Sequence, residues 1–286
     1  MTEKGGSRVD PQIVFLEKSS RKLFLGLIVL AVLCVIVTLV PTGADKTIYS
    51  NLLSIIASGS ALAFAINVIA RQKLEGILPR LYFSLGLGLA LWFMAEATWA
   101  YYEVVEGVQT PFPSVADAFW IAGYIPFFYF LVGILKTFTG LPKSTLVPIL
   151  MASSVGIVLV ANLLLVTYME ADFTTSEGII AFLVSSAYPV ADIFLIVPAV
   201  AAFILLRRGK LTFAPWATIV MATICYIIAD AGFAYFVMGG MDDIVWMWNP
   251  LYHIGDFAIA SALFWHRKFF TIDQKKLLRQ WQENNR

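Results

Sequence analysis

The sequence is short of charge. Of its 286 residues only 14% are Asp, Glu, Lys or Arg, whereas 59% are hydrophobic; soluble domains carry about 25% charged residues. Outside the apolar runs no polar stretch is long enough to enclose a core, which argues against an ordinary soluble enzyme. A formal net charge of +1 excludes the strongly basic surface that nucleic-acid binding needs. The two cysteines, Cys34 and Cys225, both fall in apolar runs, so a disulfide framework is excluded. The two histidines, His253 and His266, are too few for the multi-histidine zinc site of an intramembrane amidohydrolase. HExxH, a GxSxG with a triad, a Walker loop and CxxC are all missing. No lysine sits inside the last apolar run, which speaks against a retinal Schiff base. The sequence names no cofactor.

What fills the chain instead is apolar sequence in spanning lengths. A helix crosses a bilayer with about 20 apolar residues, and eight runs qualify: 22–41, 48–70, 80–104, 115–137, 144–169, 178–206, 212–238 and 245–266. The first is longer than the 7–15 residues of a cleavable signal core and reads as a retained span. The second, diluted by Ser50, Asn51, Ser54, Ser58 and Ser60, is expected to pack inside the bundle. The expected fold is all-α: a polytopic membrane helix bundle of eight transmembrane helices (22–266). A cytoplasmic segment (1–21) precedes it and a basic amphipathic tail (267–286) follows.

Loop charges orient the bundle. Lys4, Arg8, Lys18, Arg21 and Lys22 precede the first run. Arg71, Lys73 and Arg80, then Lys136 and Lys143, then Arg207, Arg208 and Lys210 fall in alternate connections. Arg267, Lys268, Lys275, Lys276 and Arg279 follow the last run. The intervening connections carry Glu103 and Glu106, then Glu170, Asp172 and Glu177, then Asp242 and Asp243. All basic segments therefore share one side, the cytoplasm, and both termini lie there in a plasma-membrane protein. Trp99, Tyr101, Tyr102, Trp246, Trp248 and Tyr252 are expected at the outer interface, Trp216 and Trp265 at the inner one.

Helical hairpins repeat along the chain. Ala95-Glu96-Ala97 and Trp99-Ala100-Tyr101-Tyr102 in the third run match Ala229-Asp230-Ala231 and Phe233-Ala234-Tyr235-Phe236 in the seventh, with a weaker echo at Ala161-Asn162. The following runs contain Pro113-Ser114-Val115-Ala116-Asp117, Tyr188-Pro189-Val190-Ala191-Asp192 and Tyr252-His253-Ile254-Gly255-Asp256.

These repeats place Glu96, Asp117, Asp192, Asp230 and Asp256 in or at the edge of apolar runs, all at mid-depth or outward of it. An ionised carboxylate at mid-bilayer costs about 2.5–3.5 kcal/mol on insertion scales, and no Lys or Arg lies at that depth to offset it. Three arrangements meet the cost. The carboxyls can be protonated and bonded to Tyr101, Tyr188 and Tyr226. They can hold a proton, Na⁺ or a divalent ion. Or they can receive the cationic group of an organic ligand against Trp and Tyr faces. A structural role in capping and interhelical bonding remains open, above all for Asp117 and Asp256. His253, three residues before Asp256, adds a possible metal ligand; His266 reads as interfacial. In the tail, Phe269, Phe270, Ile272, Leu277, Leu278 and Trp281 give a basic helix one apolar side, suited to anionic lipid.

The stretch Pro111-Phe112-Pro113-Ser114-Val115-Ala116-Asp117-Ala118-Phe119-Trp120-Ile121-Ala122-Gly123-Tyr124, after Glu96 and Trp99, resembles the multi-span N-terminal modules of prokaryotic signalling proteins. In those modules such a segment precedes a cyclase or histidine kinase domain, and stand-alone archaeal versions exist. The resemblance implies a membrane sensor or ligand-binding module. With no output domain in the sequence, signalling is expected to need a cytoplasmic or membrane partner. Two other readings use the same residues: a proton- or cation-coupled transporter, and a structural subunit of a membrane complex.

Overall fold

The computed structural model describes residues 11–40, 44–72, 76–137, 143–206, 213–238 and 247–269. It is all-helical, with no strand among the described residues. Eight α-helices follow in order: α1 Pro11–Leu39, α2 Ala44–Ala70, α3 Ile77–Ala100, α4 Val115–Thr137, α5 Lys143–Glu170, α6 Ser176–Leu206, α7 Phe213–Met238 and α8 Asn249–Phe269. A π-helical turn, Tyr101–Val105, extends α3. The tail residues Phe270, Ile272, Leu277, Leu278 and Trp281 lie outside the described residues, as do Lys4, Arg8, Lys73, Arg207, Arg208, Lys210, Asp242, Asp243, Trp246, Lys275, Lys276 and Arg279.

Five helical segments are long and apolar enough to cross a membrane: Lys46–Ala70, Ile77–Val105, Val115–Thr137, Ser176–Ile204 and Pro215–Phe236. Shorter apolar stretches, Leu25–Leu39 and Gly156–Met169, belong to α1 and α5. α1 starts at Pro11, well before its apolar run, and carries charged residues through its first turns. α8 falls below the standard because it contains Asn249, His253, Asp256 and His266. Its surroundings explain that polarity: α8 packs on α1, α2 and α7 and is covered by protein. Large apolar side chains are exposed on α1 to α7, such as Ile28 and Val32, Ile125, Leu165, Leu183 and Ile228. Soluble monomers rarely expose such extensive apolar surface; a bilayer accepts it.

Helix contacts close a ring. α2 packs on α3, α3 on α4, α4 on α6, α6 on α7, α7 on α8 and α8 back on α2. α1 lies outside against α8 and α2, and α5 outside against α6 and α7. The serine-rich face of α2 turns inward, with Ser50, Asn51 and Ser58 buried. The packed end of the ring holds Leu81, Leu85, Leu131, Ile134, Ile219, Ile259 and Leu263. Trp216 and Trp265, expected at the membrane surface, are instead fully enclosed there. His266 is likewise interior, edge-on to Tyr82 and Trp216. These side chains point along the inner face of the ring rather than outward, which sequence depth alone does not reveal.

The α3–α4 contact depends on small residues. A Cβ on Gly123 would lie 2.4 Å from the Trp92 indole and 3.2 Å from the Gly88 carbonyl oxygen. Ser84 ties the same two helices by donating to the Pro126 carbonyl at 2.8 Å. Gly123→Ala is therefore expected to destabilise the protein by about 1–3 kcal/mol, measured as a lower unfolding midpoint in detergent; unchanged stability would contradict the tight α3–α4 approach.

Turn chemistry sets the start of α6. Thr175 Oγ1 accepts the Gly178 N–H at 3.1 Å, the geometry of an N-cap. Asp172, in the preceding turn, accepts both the hydroxyl and the backbone N–H of Thr174. Those bonds hold its carboxyl below the usual range, so its contribution is lost only as pH falls into the acid range.

Candidate functional site

A cavity opens at the end of the ring where α2, α4, α6 and α8 begin and α3 and α7 end. About 1100 Å³ lies open within it, counting solvent space at its mouth. Each ring helix contributes: Ser54 from α2, Glu96 from α3, Asp117 from α4, Tyr188 from α6, Asp230 from α7 and Asp256 from α8. Among the described residues, no Lys or Arg lines it.

α4 enters this wall through its sequence motif. Ser114 Oγ accepts the Ala116 N–H at 3.2 Å, and Asp117 Oδ2 reaches back to the Ser114 N–H at 2.6 Å, a capping box. The other Asp117 oxygen accepts the Tyr188 hydroxyl of α6 at 2.7 Å. One residue thus caps its own helix and ties a second. Further along the motif, Phe112, Trp120 and Tyr124 line the cavity, and Gly123 admits Trp92. Four residues of the Pro111–Tyr124 stretch, Phe112, Asp117, Trp120 and Tyr124, thus form part of the wall.

Asp230 is the most heavily bonded carboxyl. Its Oδ1 accepts from Tyr252 at 2.6 Å and its Oδ2 from Tyr124 at 2.8 Å. The Tyr124 hydroxyl also lies 3.0 Å from Asp192 Oδ1. Asp192 itself lies one step deeper than the cavity lining. The chain Tyr252–Asp230–Tyr124–Asp192 therefore runs from the cavity wall into the bundle.

Asp256 sits two turns inside α8, so it is not a helix cap. It is 5% exposed, and Tyr226 donates to its Oδ1 at 2.7 Å. Glu96 is half-buried and lines the cavity. Ser54 Oγ meets His253 Nε2 at 2.8 Å, while His253 Nδ1 has no hydrogen-bond partner although the residue is only 1% exposed. Among the described residues, no three His, Cys, Asp or Glu side chains converge closely enough to hold a metal ion. His253 is thus placed as a hydrogen-bonding group of the cavity.

Of the sequence-predicted residues, the structure brings Glu96, Asp117, Asp230, Asp256, Tyr188, Tyr226 and His253 to one cavity and ties Asp192 to it through Tyr124. Tyr101 is not among the lining residues; it is 50% exposed, edge-on to Tyr102. The weaker repeat echo at Asn162 lies on the outer helix α5, where its amide returns to the Val158 carbonyl. Sequence reasoning missed Tyr124 and Tyr252 as carboxyl partners, and Trp92, Trp120 and Asn51 as lining. Tyr124 had a signal: it falls seven residues after Asp117, two helical turns along the same face. Glu103, expected as a loop acid, lines the cavity because the π-turn carries it inward, where Asn51 donates to it at 2.6 Å.

The hairpin repeat reappears as opposed walls. Glu96 and Asp230 occupy matching repeat positions, and residues beside them face each other: Trp92 and Tyr226 rings are 5.0 Å apart, Trp99 and Phe233 rings 6.3 Å.

No protein-family profile matches the chain, and no curated protein or solved structure matches it.

Proposed function

We propose that the chain is a ligand-binding membrane module of the sensor type, with eight spans, both termini in the cytoplasm and the cavity facing outward across the plasma membrane. The observation that supports it best is the cavity itself: an acidic, aromatic chamber with no Lys or Arg among its described lining residues, walled in part by the Pro111–Tyr124 stretch. The loop charges support its outward direction. Signal output would pass through a cytoplasmic or membrane partner. On this reading, soluble small molecules shift the unfolding midpoint of the purified protein, Asp256→Asn alters that response, and the variant still inserts. The absence of any stabilising compound in a chemically diverse set would sink the proposal. Reporter fusions at both termini test the topology, with cytoplasmic signal expected at each end.

One observation favours a second reading. The Tyr252–Asp230–Tyr124–Asp192 chain leads inward from the cavity, as a proton-coupled transporter would require. Liposomes separate the two: a sensor binds without flux, whereas a transporter moves solute when a pH gradient is imposed.

A further inference from the structure

We infer that α5 is the contact helix of a homodimer, in which Asn162 of one copy hydrogen-bonds Asn162 of a second across a two-fold axis. This rests on α5 being one of the eight spans. Asn162 sits in the middle of the apolar stretch Gly156–Met169, two helical turns inside the end of α5 at Glu170. α5 lies outside the ring, and Asn162 is on its uncovered side, exposed together with Ser154, Val158, Ala161, Leu165 and Met169. These positions recur at intervals of three and four residues, so they share one face. Among the described residues, the hydrogen bonding of Asn162 stays within its own helix, from a side-chain N–H to the Val158 carbonyl at 2.8 Å. The second N–H and the carbonyl oxygen of the amide are left on a surface that lipid would cover, and lipid tails offer neither donor nor acceptor.

A second copy of the chain fits this face. An amide carries donors and an acceptor, so two amides related by a two-fold axis complete each other with no third group. Membrane helices associate through such bonds and through small side chains that let their backbones approach; Ala161 and Ser154 supply small side chains on the same face. A single Asn in an apolar seam also fixes the register of two helices. Elsewhere in the bundle the amides find partners on other segments: Asn51 donates to Glu103 at 2.6 Å and Asn249 to Ser50 at 2.9 Å. The hairpin repeat marks the contrast. Asn162 occupies the repeat position of Glu96 and Asp230, which line the cavity, but α5 stands outside the ring and turns that polar position outward.

The full-length protein, dye-labelled at its N-terminus, can be reconstituted in lipid vesicles at increasing dilution and its copies counted by single-molecule photobleaching. The expected result is two-step bleaching that gives way to single steps on dilution. Asn162→Leu should weaken the dimer roughly fivefold, the size of one interhelical hydrogen bond in a membrane. Under oxidant, Ala161→Cys should form a disulfide-linked dimer, whereas the unsubstituted protein and Ile125→Cys, exposed on α4, should not. Single-step bleaching at every dilution overturns the dimer and leaves the face to lipid or to a different protein. Two-step bleaching with no effect of Asn162→Leu and no Ala161→Cys cross-link places the contact elsewhere and overturns this face. A membrane-impermeant maleimide separates the premise from the proposal. If it labels Ala161→Cys in intact vesicles, α5 does not span and the proposal falls with that reading; if the cysteine is protected and bleaching is single-step, the dimer alone falls.

Discussion

Trp92→Ala is expected to be the most damaging single substitution in the bundle, costing about 3–5 kcal/mol. The indole is stacked on Phe127 with ring centroids 5.1 Å apart, edge-on to Tyr124 at 5.6 Å and to Tyr226 at 5.0 Å. Its N–H donates to the Trp120 carbonyl at 3.0 Å. Removing it empties the floor of the cavity and frees the two tyrosines that hold Asp230 and Asp256. Inside a membrane the loss is chiefly of van der Waals contact, because lipid is as apolar as the side chain removed. Trp92→Phe keeps most of the ring contact and loses the hydrogen bond, so its cost should be nearer 1–2 kcal/mol. Unfolding of both variants in detergent checks the prediction. Similar small effects from Ala and Phe would show that the site does not depend on this ring.

Asp230→Ala is expected to be nearly as severe, and Asp192→Asn almost silent. Asp230 accepts from Tyr252 and Tyr124. Alanine leaves the buried hydroxyls without their acceptor, at about 1–3 kcal/mol each. Asparagine at 192 instead replaces a carboxyl whose observed partner is the Tyr124 hydroxyl. Its carbonyl can accept from Tyr124 in place of the carboxyl oxygen, and Tyr124 keeps Asp230 as an acceptor, so stability should change by under about 1 kcal/mol. If Asp192→Asn were as damaging as Asp230→Ala, a simple acceptor role for Asp192 would be the wrong account.

The helices were legible because the apolar runs are long and their interruptions chemically clear. Val115–Thr137 follows its expected span residue for residue, bounded by a capping box at Ser114 and Asp117. α1 extends beyond its run because helix formation does not stop where hydrophobicity does; Glu17, Lys18, Arg21 and Lys22 are good helix formers. The acidic residues of the site were legible too, since a carboxyl in an apolar run demands a partner. Which partner it finds was not. Tyr188 is four residues before Asp192 and one helical turn away, yet it bonds Asp117 on another helix, while Asp192 turns to Tyr124.

Composition and periodicity by themselves determined that this is a helical membrane protein with buried acidic groups. They do so because the cost of unpaired backbone and charge in lipid is set locally, residue by residue. Only the tertiary structure decided the rest. It placed α1 and α5 outside the ring, enclosed Trp216, Trp265 and His266, and gathered acids from four helices around one chamber. Those outcomes depend on how helices rotate and pack about one another, and on small residues such as Gly88 and Gly123 that let them approach. That information lies between segments rather than within any of them.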